Sequence, residues 1–410
     1  MSDLEAIKEV VDRQTEALAL KDAADPAVKK STTIVEEFLK AHRVLCYGGT
    51  AINNLLPAKD RFYTTSEVPD YDFFSETPQE HSVIIANKIA AGGIENVEVK
   101  PGVHLGTYKV FADFHGVADI TLLAPKVFDN LWKEKLDRHG IHYVPPNFLR
   151  MSMYLELSRP DGDISRWEKV YTRLMLLNKH YPIVCRDTIV PPEEMSIEQK
   201  KAAVSMMKQH DVVMIGFSAM TRYENKAHWY TPLTLLAEKE VIDQVSKGKK
   251  TLEHEETEIM PRRVDVLDEN GGILYQFYET QACHSYHTTG DGLKIASIPT
   301  LLQFFLALIY SGEPKDEVTR ILCVAQRLME LAANKPNRTL ALLTPTSCLG
   351  KQPSLLELRR DRVDLFKKIN SKSSPDFVQY FFTYNPKAKK TERKKIRELL
   401  KKTRKARMDV

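Results

Sequence analysis

Apolar positions recur at helical spacing over residues 4–20 and again over 27–42, which predicts two amphipathic helices at the start of the chain. The run Val44-Leu45-Cys46-Tyr47 then stops at Gly48-Gly49, and Thr50-Ala51-Ile52 continues at once in a helical pattern. A strand that becomes a helix through two glycines leaves no room for a loop. Such a turn brings backbone N–H groups and a helix N-terminus close to an anion. VPDYDFF (68–74) reads as a second strand, and 79–91 as a helix that Gly92-Gly93 ends. NVEVKPGV, GTYKVFADF and GVADITLL read as three strands of a meander or hairpin, divided by glycine turns. A helix is expected over 125–138 and another over 147–157. After the loop RPDGD, Ser165 and Glu168 have the spacing of a capping box and open a helix that runs to Asn178. The proline-rich stretch 182–200 reads as a linker or crossing segment. A second α/β region spans about 209–367. Its apolar run IPTLLQFFLALIYS falls short of the roughly 18 residues a membrane span needs, so it reads as a buried helix.

An internal echo links the two halves. RVLCYGGTAI (43–52) and DVVMIGFSAM (211–220) share an apolar strand, a glycine turn, a small hydroxyl residue, alanine and an apolar residue. VEVKPGV…TYKVFADF is loosely matched by VDVLDENGGILYQFYET (264–280). In the second copy Phe217 replaces Gly49, and no Asp-x-Asp follows at the matching distance. The second half thus reads as a duplicate that has lost its chemistry.

With 410 residues, 43% apolar and 28% charged, the chain has room for two or three domains with real cores. The charged opening MSDLEAIKEVVDRQ has no signal-peptide core, and no run is apolar enough to span a membrane. Five scattered cysteines without a CxxC pair fit a reducing compartment and argue against a disulfide framework. From Pro386 to Val410 twelve Lys or Arg stand against three acids, so this tail carries +9 and the rest of a chain of net +4 carries −5. A basic tail on a mildly acidic body suits a nucleic-acid tether or a localisation signal, or is simply a solvated terminus.

Asp70-Tyr71-Asp72 supplies the chemistry. Residues i and i+2 of a strand share a face, so both carboxylates can converge on one point. Two close like charges are costly unless a cation neutralises them, and oxygen-seeking divalent metals do so together with substrate phosphates. Asp119, flanked by apolar Val117, Ala118 and Ile120, is a third candidate; Asp113 is its weaker rival. The turn Gly48-Gly49-Thr50 would hold a polyphosphate, and Asp70, Asp72 and Asp119 two Mg²⁺ ions about 3.5–4 Å apart. Arg173 and Lys179 are candidate phosphate ligands, because a triphosphate needs further cations. Trp167 and Tyr47 read as core. Cys283-His284-x-x-His287 lacks a second metal-binding pair, and the absence of GxxxxGK[ST] leaves a Walker-type ATPase without support.

GGT, PDYDFFS and VADIT, in that order, resemble the pattern of polymerase β-type nucleotidyltransferases: hG[GS], DxD, then a third aspartate. MSMYLELSRPDGDISRWEKVYTRLMLLNKHYP (151–182) is similar to the helical segment of poly(A) polymerase catalytic subunits from large nucleocytoplasmic DNA viruses. The likeness is specific over 44–182 and architectural beyond it. It implies an α+β fold: N-terminal helices (1–42), a nucleotidyltransferase domain with a mixed sheet and helical extension (43–182), and a crossing segment (183–208). A degenerate nucleotidyltransferase-like domain (209–370) and a basic tail (371–410) would follow. It also implies template-independent addition of AMP from ATP to RNA 3′ ends, forming mRNA poly(A) tails. Asp70, Asp72 and Asp119 would be the catalytic and metal-binding residues, for two Mg²⁺ or Mn²⁺ ions. Gly48, Gly49 and Thr50 would contact the triphosphate. The expected partners are a single-stranded RNA 3′ end, ATP, and a second copy or another viral subunit completing the RNA path, with no membrane. The expected locations are the host cytoplasm at the viral factory and the virion. The same triad would also serve an oligoadenylate or cyclic-dinucleotide synthase or a CCA-adding enzyme, and a non-catalytic RNA-binding scaffold is the alternative outside enzymes.

Overall fold

The computed structural model describes residues 3–63, 70–280, 282–312, 315–334, 345–369, 374–389, and 391, 394–396, 398 and 400. Val68 and Pro69 of the expected second strand, and parts of the basic tail, including 401–410, lie outside the described residues. The chain forms two compact units, 1–145 with 355–410, and 146–354. The helical segment 146–182 therefore groups with the second unit, whereas the sequence suggests it as an extension of the first.

In the first unit α1 (Asp3–Ala24) precedes α2 (Pro26–Ala41). Asp25 caps α2 by accepting the N–H groups of Ala27 and Val28, and Val28, Val35, Phe38 and Leu39 form its buried stripe. Then come β1 (Leu45–Cys46), α3 (Gly48–Leu55), β2 (Tyr71–Ser75), α4 (Pro78–Ala91), β3 (Val97–Pro101), β4 (Thr107–Ala112) and β5 (His115–Leu122). They are followed by α5 (Pro125–Lys133), β6 (Leu136–Arg138) and β7 (Ile141–Tyr143). The expected helix over 125–138 thus stops early, and its last residues pair with β7 as a hairpin. One sheet has the order β3-β4-β5-β2-β1-β7-β6. The meander β3–β5 is as expected; β2 then lies parallel to β5, and β1 runs antiparallel to β2 and parallel to β7. Asp113 and Phe114 turn β4 into β5 with φ of 48° and 70°, the left-handed pair of a two-residue hairpin. Asp113 is therefore a turn residue held by Asn96.

The second unit opens with α6 (Pro146–Leu157) and α7 (Trp167–His180). Ser165 does not cap α7: its hydroxyl turns to Asp163, and a 3₁₀ turn over Ile164–Arg166 leads into the helix without a side-chain cap. The capping box sits instead at Ser196 and Gln199, opening a helix inside the segment that the prolines suggest is a linker. The chain continues through β8 (Glu193–Glu194), α8 (Ile197–Gln209), β9 (Val212–Met214), α9 (Gly216–Tyr223), β10 (Tyr230–Thr231) and β11 (Leu233–Ala237). Next are α10 (Lys239–Ser246), β12 (Thr251–His254), β13 (Arg263–Leu267), β14 (Ile273–Glu279), β15 (His284–Thr288) and β16 (Lys294–Ala296). The unit ends with α11 (Ile298–Leu308), α12 (Lys315–Asn334) and β17 (Cys348–Leu349). Its main sheet runs β12-β13-β14-β11-β9-β16-β15-β17. Up to β15 this repeats the seven strands of the first sheet in order and sense, with β17 added at the end: β11 is parallel to β14, and β9 is antiparallel to β11 and parallel to β16. The register equates the hairpin 263–279 with β4–β5, one strand later than the sequence match suggests. From Ile298 to Ala307 every residue of α11 is buried, as its unbroken apolar run predicts.

Two disulfides correct the reading of the cysteines. Cys185 bonds to Cys323 and Cys283 to Cys348, with Cα atoms 4.3 and 5.2 Å apart, and Cys46 is free and buried. Partners 138 and 65 residues apart leave no spacing motif to read.

The chain then returns to the first unit as α13 (Leu355–Lys368) and α14 (Pro375–Phe381). Val378, Phe382 and Tyr384 are buried, and Tyr384 pairs by backbone hydrogen bonds with Val99 of β3. Residues 374–384 are thus part of the packed unit, where composition suggests that the tail begins at 371.

Two histidines, His284 buried and His81 half-buried, set an acid limit. Burial, and then Arg159, push His284 down to about 3; burial, and then His42, lower His81 to about 4. The unfolded chain takes up these protons below about pH 6.5 while the folded chain refuses them, so stability is full above that value and falls as pH drops towards 4. Urea midpoints should therefore fall between about pH 7 and about pH 4.5, and His81→Gln should flatten that fall.

Candidate active site

Alternation along β2 sends Tyr71 and Phe73 to the helix-covered face, where the Tyr71 hydroxyl donates to Glu36 (2.7 Å) and Phe73 meets Phe38. Asp72 and Phe74 take the opposite face. The register of the parallel pair β2–β5 sets Asp72 beside Asp119, and that of β4–β5 sets Asp119 beside Lys109. Asp72, Asp119 and Lys109 therefore form one row across three strands, with Phe74, Thr121 and Thr107 as the next. Asp70 immediately precedes β2.

The strand–helix turn clamps this row from the side. Gly48 has φ +74°, a left-handed conformation, and a Cβ there would lie 2.4 Å from Asp72 Oδ2. Only glycine lets the turn come this close to the carboxylate. The Tyr47 amide donates to the Asp72 carbonyl (2.9 Å), and the Thr50 hydroxyl donates to the Asp70 carbonyl (2.7 Å). Thr50 is buried with its hydroxyl committed to that carbonyl, so it holds the acid-bearing backbone in place. Gly49 follows in the first turn of α3. Tyr47, half-buried, stacks on Phe74 at 4.0 Å and shares a hydrogen bond with Thr121 Oγ1 (2.9 Å). Burial and the neighbouring Asp72 push its phenol well above the usual range.

The electrostatics are those of a cation site. Asp70 is open to solvent on one side, yet the protein around its carboxyl, and then the charge of Asp119, raise it to about 6 against the pull of Lys109. Lys109 forms an ion pair with Asp119. Burial alone would lower the Lys109 ammonium, but that bond and the charges of Asp119, Asp70 and Asp72 hold it above its ordinary value. Three hard oxygen donors on one face, crowded enough to raise one pKa, fit divalent cations. Their oxygens are not drawn as close as 4.8 Å to one another; among the described residues, the group that is that tight is Asp161, Cys283 and Cys348. Its two sulfurs are bonded to each other, so it offers no thiolate.

Lys109 escapes sequence reasoning. An unbroken hairpin about Asp113-Phe114 would set Lys109 opposite Ala118, and the register shift between Val110 and Phe111 moves it to Asp119. We expect Lys109→Met to lower the thermal stability of the protein in EDTA by about 1–3 kcal/mol, because Asp119 is left half-buried without its partner. Added Mg²⁺ should stabilise that variant more than the wild type, as calorimetry can read.

Arg173 and Lys179 both stand on α7, in the second unit. Arg173 lies within electrostatic reach of Glu156, and Lys179 is exposed. Near them Arg150 is fully buried, donating to Asn178 (2.7 Å), Asn147 and the Tyr181 carbonyl, and so locks α6 to the end of α7. Trp167 is half-buried, its indole N–H satisfied by the Glu156 carbonyl.

Residues 33–163 match the family model described as "Poly(A) polymerase catalytic subunit". A stretch of 184 residues is 31% identical to the "Putative poly(A) polymerase catalytic subunit" of Acanthamoeba polyphaga mimivirus, covering 42% of this chain and 31% of that protein. The protein of the same description from African swine fever virus (isolate Tick/Malawi/Lil 20-1/1983) is 27% identical over 206 residues, 48% of this chain and 41% of that one. The chain spans less than half the length of the curated relatives it matches. In fold it resembles the crystal structure of the Megavirus polyadenylate synthase, with a TM-score of 0.82 at 17% identity over 98% of this chain and 90% of that one. The likeness carried by GGT, PDYDFFS and VADIT thus holds across 33–163, and the α+β fold extends over nearly the whole chain.

Proposed function

We propose, from the family match over 33–163, that this chain is a template-independent RNA 3′-adenylyltransferase, transferring AMP from ATP to an RNA 3′-hydroxyl with release of pyrophosphate. The observation that carries the reading is the pressing of Gly48 against Asp72, with Asp119 beside it in register. Asp70, Asp72 and Asp119 would hold two divalent ions. When bound, these supply charge neutralisation at phosphorus and activation of the attacking hydroxyl. The chain's own part is positioning. Thr50 and the Tyr47 amide fix the backbone of Asp70 and Asp72. The N-terminus of α3 presents backbone N–H groups to the anionic substrate. Lys109, paired with Asp119, keeps that carboxylate oriented between turnovers.

Single-stranded RNA, ATP, and a second copy or further subunit are the proposed partners; a body of net −5 outside its tail supports a need for added positive surface. Of the two locations, the two disulfides favour the virus particle. No helix of the described residues is long and apolar enough to cross a membrane.

The test is incubation with Mg²⁺, a labelled single-stranded RNA and each of the four NTPs in turn. A ladder with ATP supports the proposal. Consumption of ATP without extension of the RNA points to a synthase, and RNA binding with no consumption points to a scaffold.

A further inference from the structure

The register equates each part of the candidate active site with a residue of the second unit. The Ile215 amide donates to the Thr234 carbonyl (3.0 Å), as the Tyr47 amide does to Asp72. Gly216 keeps the left-handed turn (φ +71°), and a Cβ there would lie 3.0 Å from Thr234 Oγ1. Thr234 therefore stands for Asp72 and Pro232 for Asp70. Thr234 pairs with Gln276 across β11–β14, so Gln276 stands for Asp119. No carboxylate remains at the three positions, and a divalent ion has nothing to bind there.

The place has not closed up. A cavity of about 140 Å³ lies over it, lined by Thr234 and Gln276. Among the described residues neither the Thr234 hydroxyl nor the Gln276 side-chain amide has a hydrogen-bond partner. Phe217, at the position of Gly49, fills phosphate space with a ring, and with Tyr278, Phe304 and Phe305 makes the wall aromatic. Arg320, paired with Glu317 at the rim, lies over Phe217 at 5.0 Å. Aromatic faces and a guanidinium plane stack flat rings, and an amide beside a hydroxyl offers donors and acceptors to a ring edge. The volume suits one ring system rather than a whole nucleotide.

We propose that this vestigial site binds a single nucleobase without metal, presented by an RNA strand or by a free nucleotide. The inference rests on the adenylyltransferase reading only for which base is near; the binding itself does not.

The experiment photo-cross-links the full chain in EDTA with 8-azidoadenosine, or with an oligoadenylate carrying one such base, and maps the labelled peptides by mass spectrometry. Label on peptides containing Phe217, Gln276–Tyr278 or Phe304–Phe305 is expected, and Gln276→Leu should cut it at least about tenfold while urea denaturation shows the variant folded. Labelling by the oligonucleotide but not the nucleoside assigns the site to the strand, and the converse assigns it to the free nucleotide. An abasic oligonucleotide should fail to compete. Label confined to peptides of the first unit, or unchanged in Gln276→Leu, overturns the inference. Failure of the adenylyltransferase reading would show separately, as no extension of RNA with ATP and Mg²⁺ by the wild type.

Discussion

Asp70→Asn is expected to slow ATP-dependent RNA extension by roughly a thousandfold, about 4 kcal/mol of transition-state stabilisation, while the metal-free protein keeps or gains stability. The two effects have one cause. Without a metal, Asp70 is a carboxylate raised to about 6 by its surroundings and by Asp119, so the folded state is strained by its charge at neutral pH. Asparagine keeps the shape and removes that charge, and with it the ability to share a cation. Single-turnover extension and thermal melting in EDTA check the pair. A rate within tenfold of wild type would take Asp70 out of the site. A marked loss of stability would mean that the acids are structural, since a residue kept for folding should not improve the fold when neutralised.

Gly48→Ala is the second large effect. The backbone at φ +74° costs an L-residue about 1–2 kcal/mol, and the new methyl would fall 2.4 Å from Asp72 Oδ2. Either the turn or the carboxylate must move. Activity should fall at least about a hundredfold, near 2.7 kcal/mol, and the melting temperature should drop with it. Gly93→Ala is the control: Gly93 is also left-handed (φ +92°), but a Cβ there meets nothing within 4 Å, so it separates backbone strain from the clash with Asp72. A Gly48→Ala enzyme with full activity would show that Asp72 does not need its present position.

What the chain discloses in advance, and what it hides, follows from the range of the interaction. The turn at Gly48, the alternation that puts Asp70 and Asp72 on one side of a strand, and the buried α11 are local, and local pattern is enough to read them. Lys109 depends on a register shift within a hairpin, which no alternation announces. The same limit explains why the hairpin 263–279 is matched one strand early from sequence: glycine turns show that strands pair, and pairing partners are settled only by the sheet. Ser165 fails as a cap although Ser-x-x-Glu is present, because the 3₁₀ turn over Ile164–Arg166 makes Arg166 the N-cap and leaves Ser165 one residue ahead of it. The disulfides are the extreme case, since four scattered thiols become two pairs only through contacts between distant segments.

The return of residues 374–384 to the first unit has a consequence for biogenesis. The outer edge of β3 receives its backbone partner, Tyr384, only after the whole second unit has left the ribosome. Until then the nascent first unit presents open N–H and C=O groups beside the uncovered sites of Val378 and Phe382. A translation product that stopped near residue 354 would keep that edge for good. A segment that emerges after the whole second unit is the one that makes the first unit safe from pairing with its neighbours on the same message.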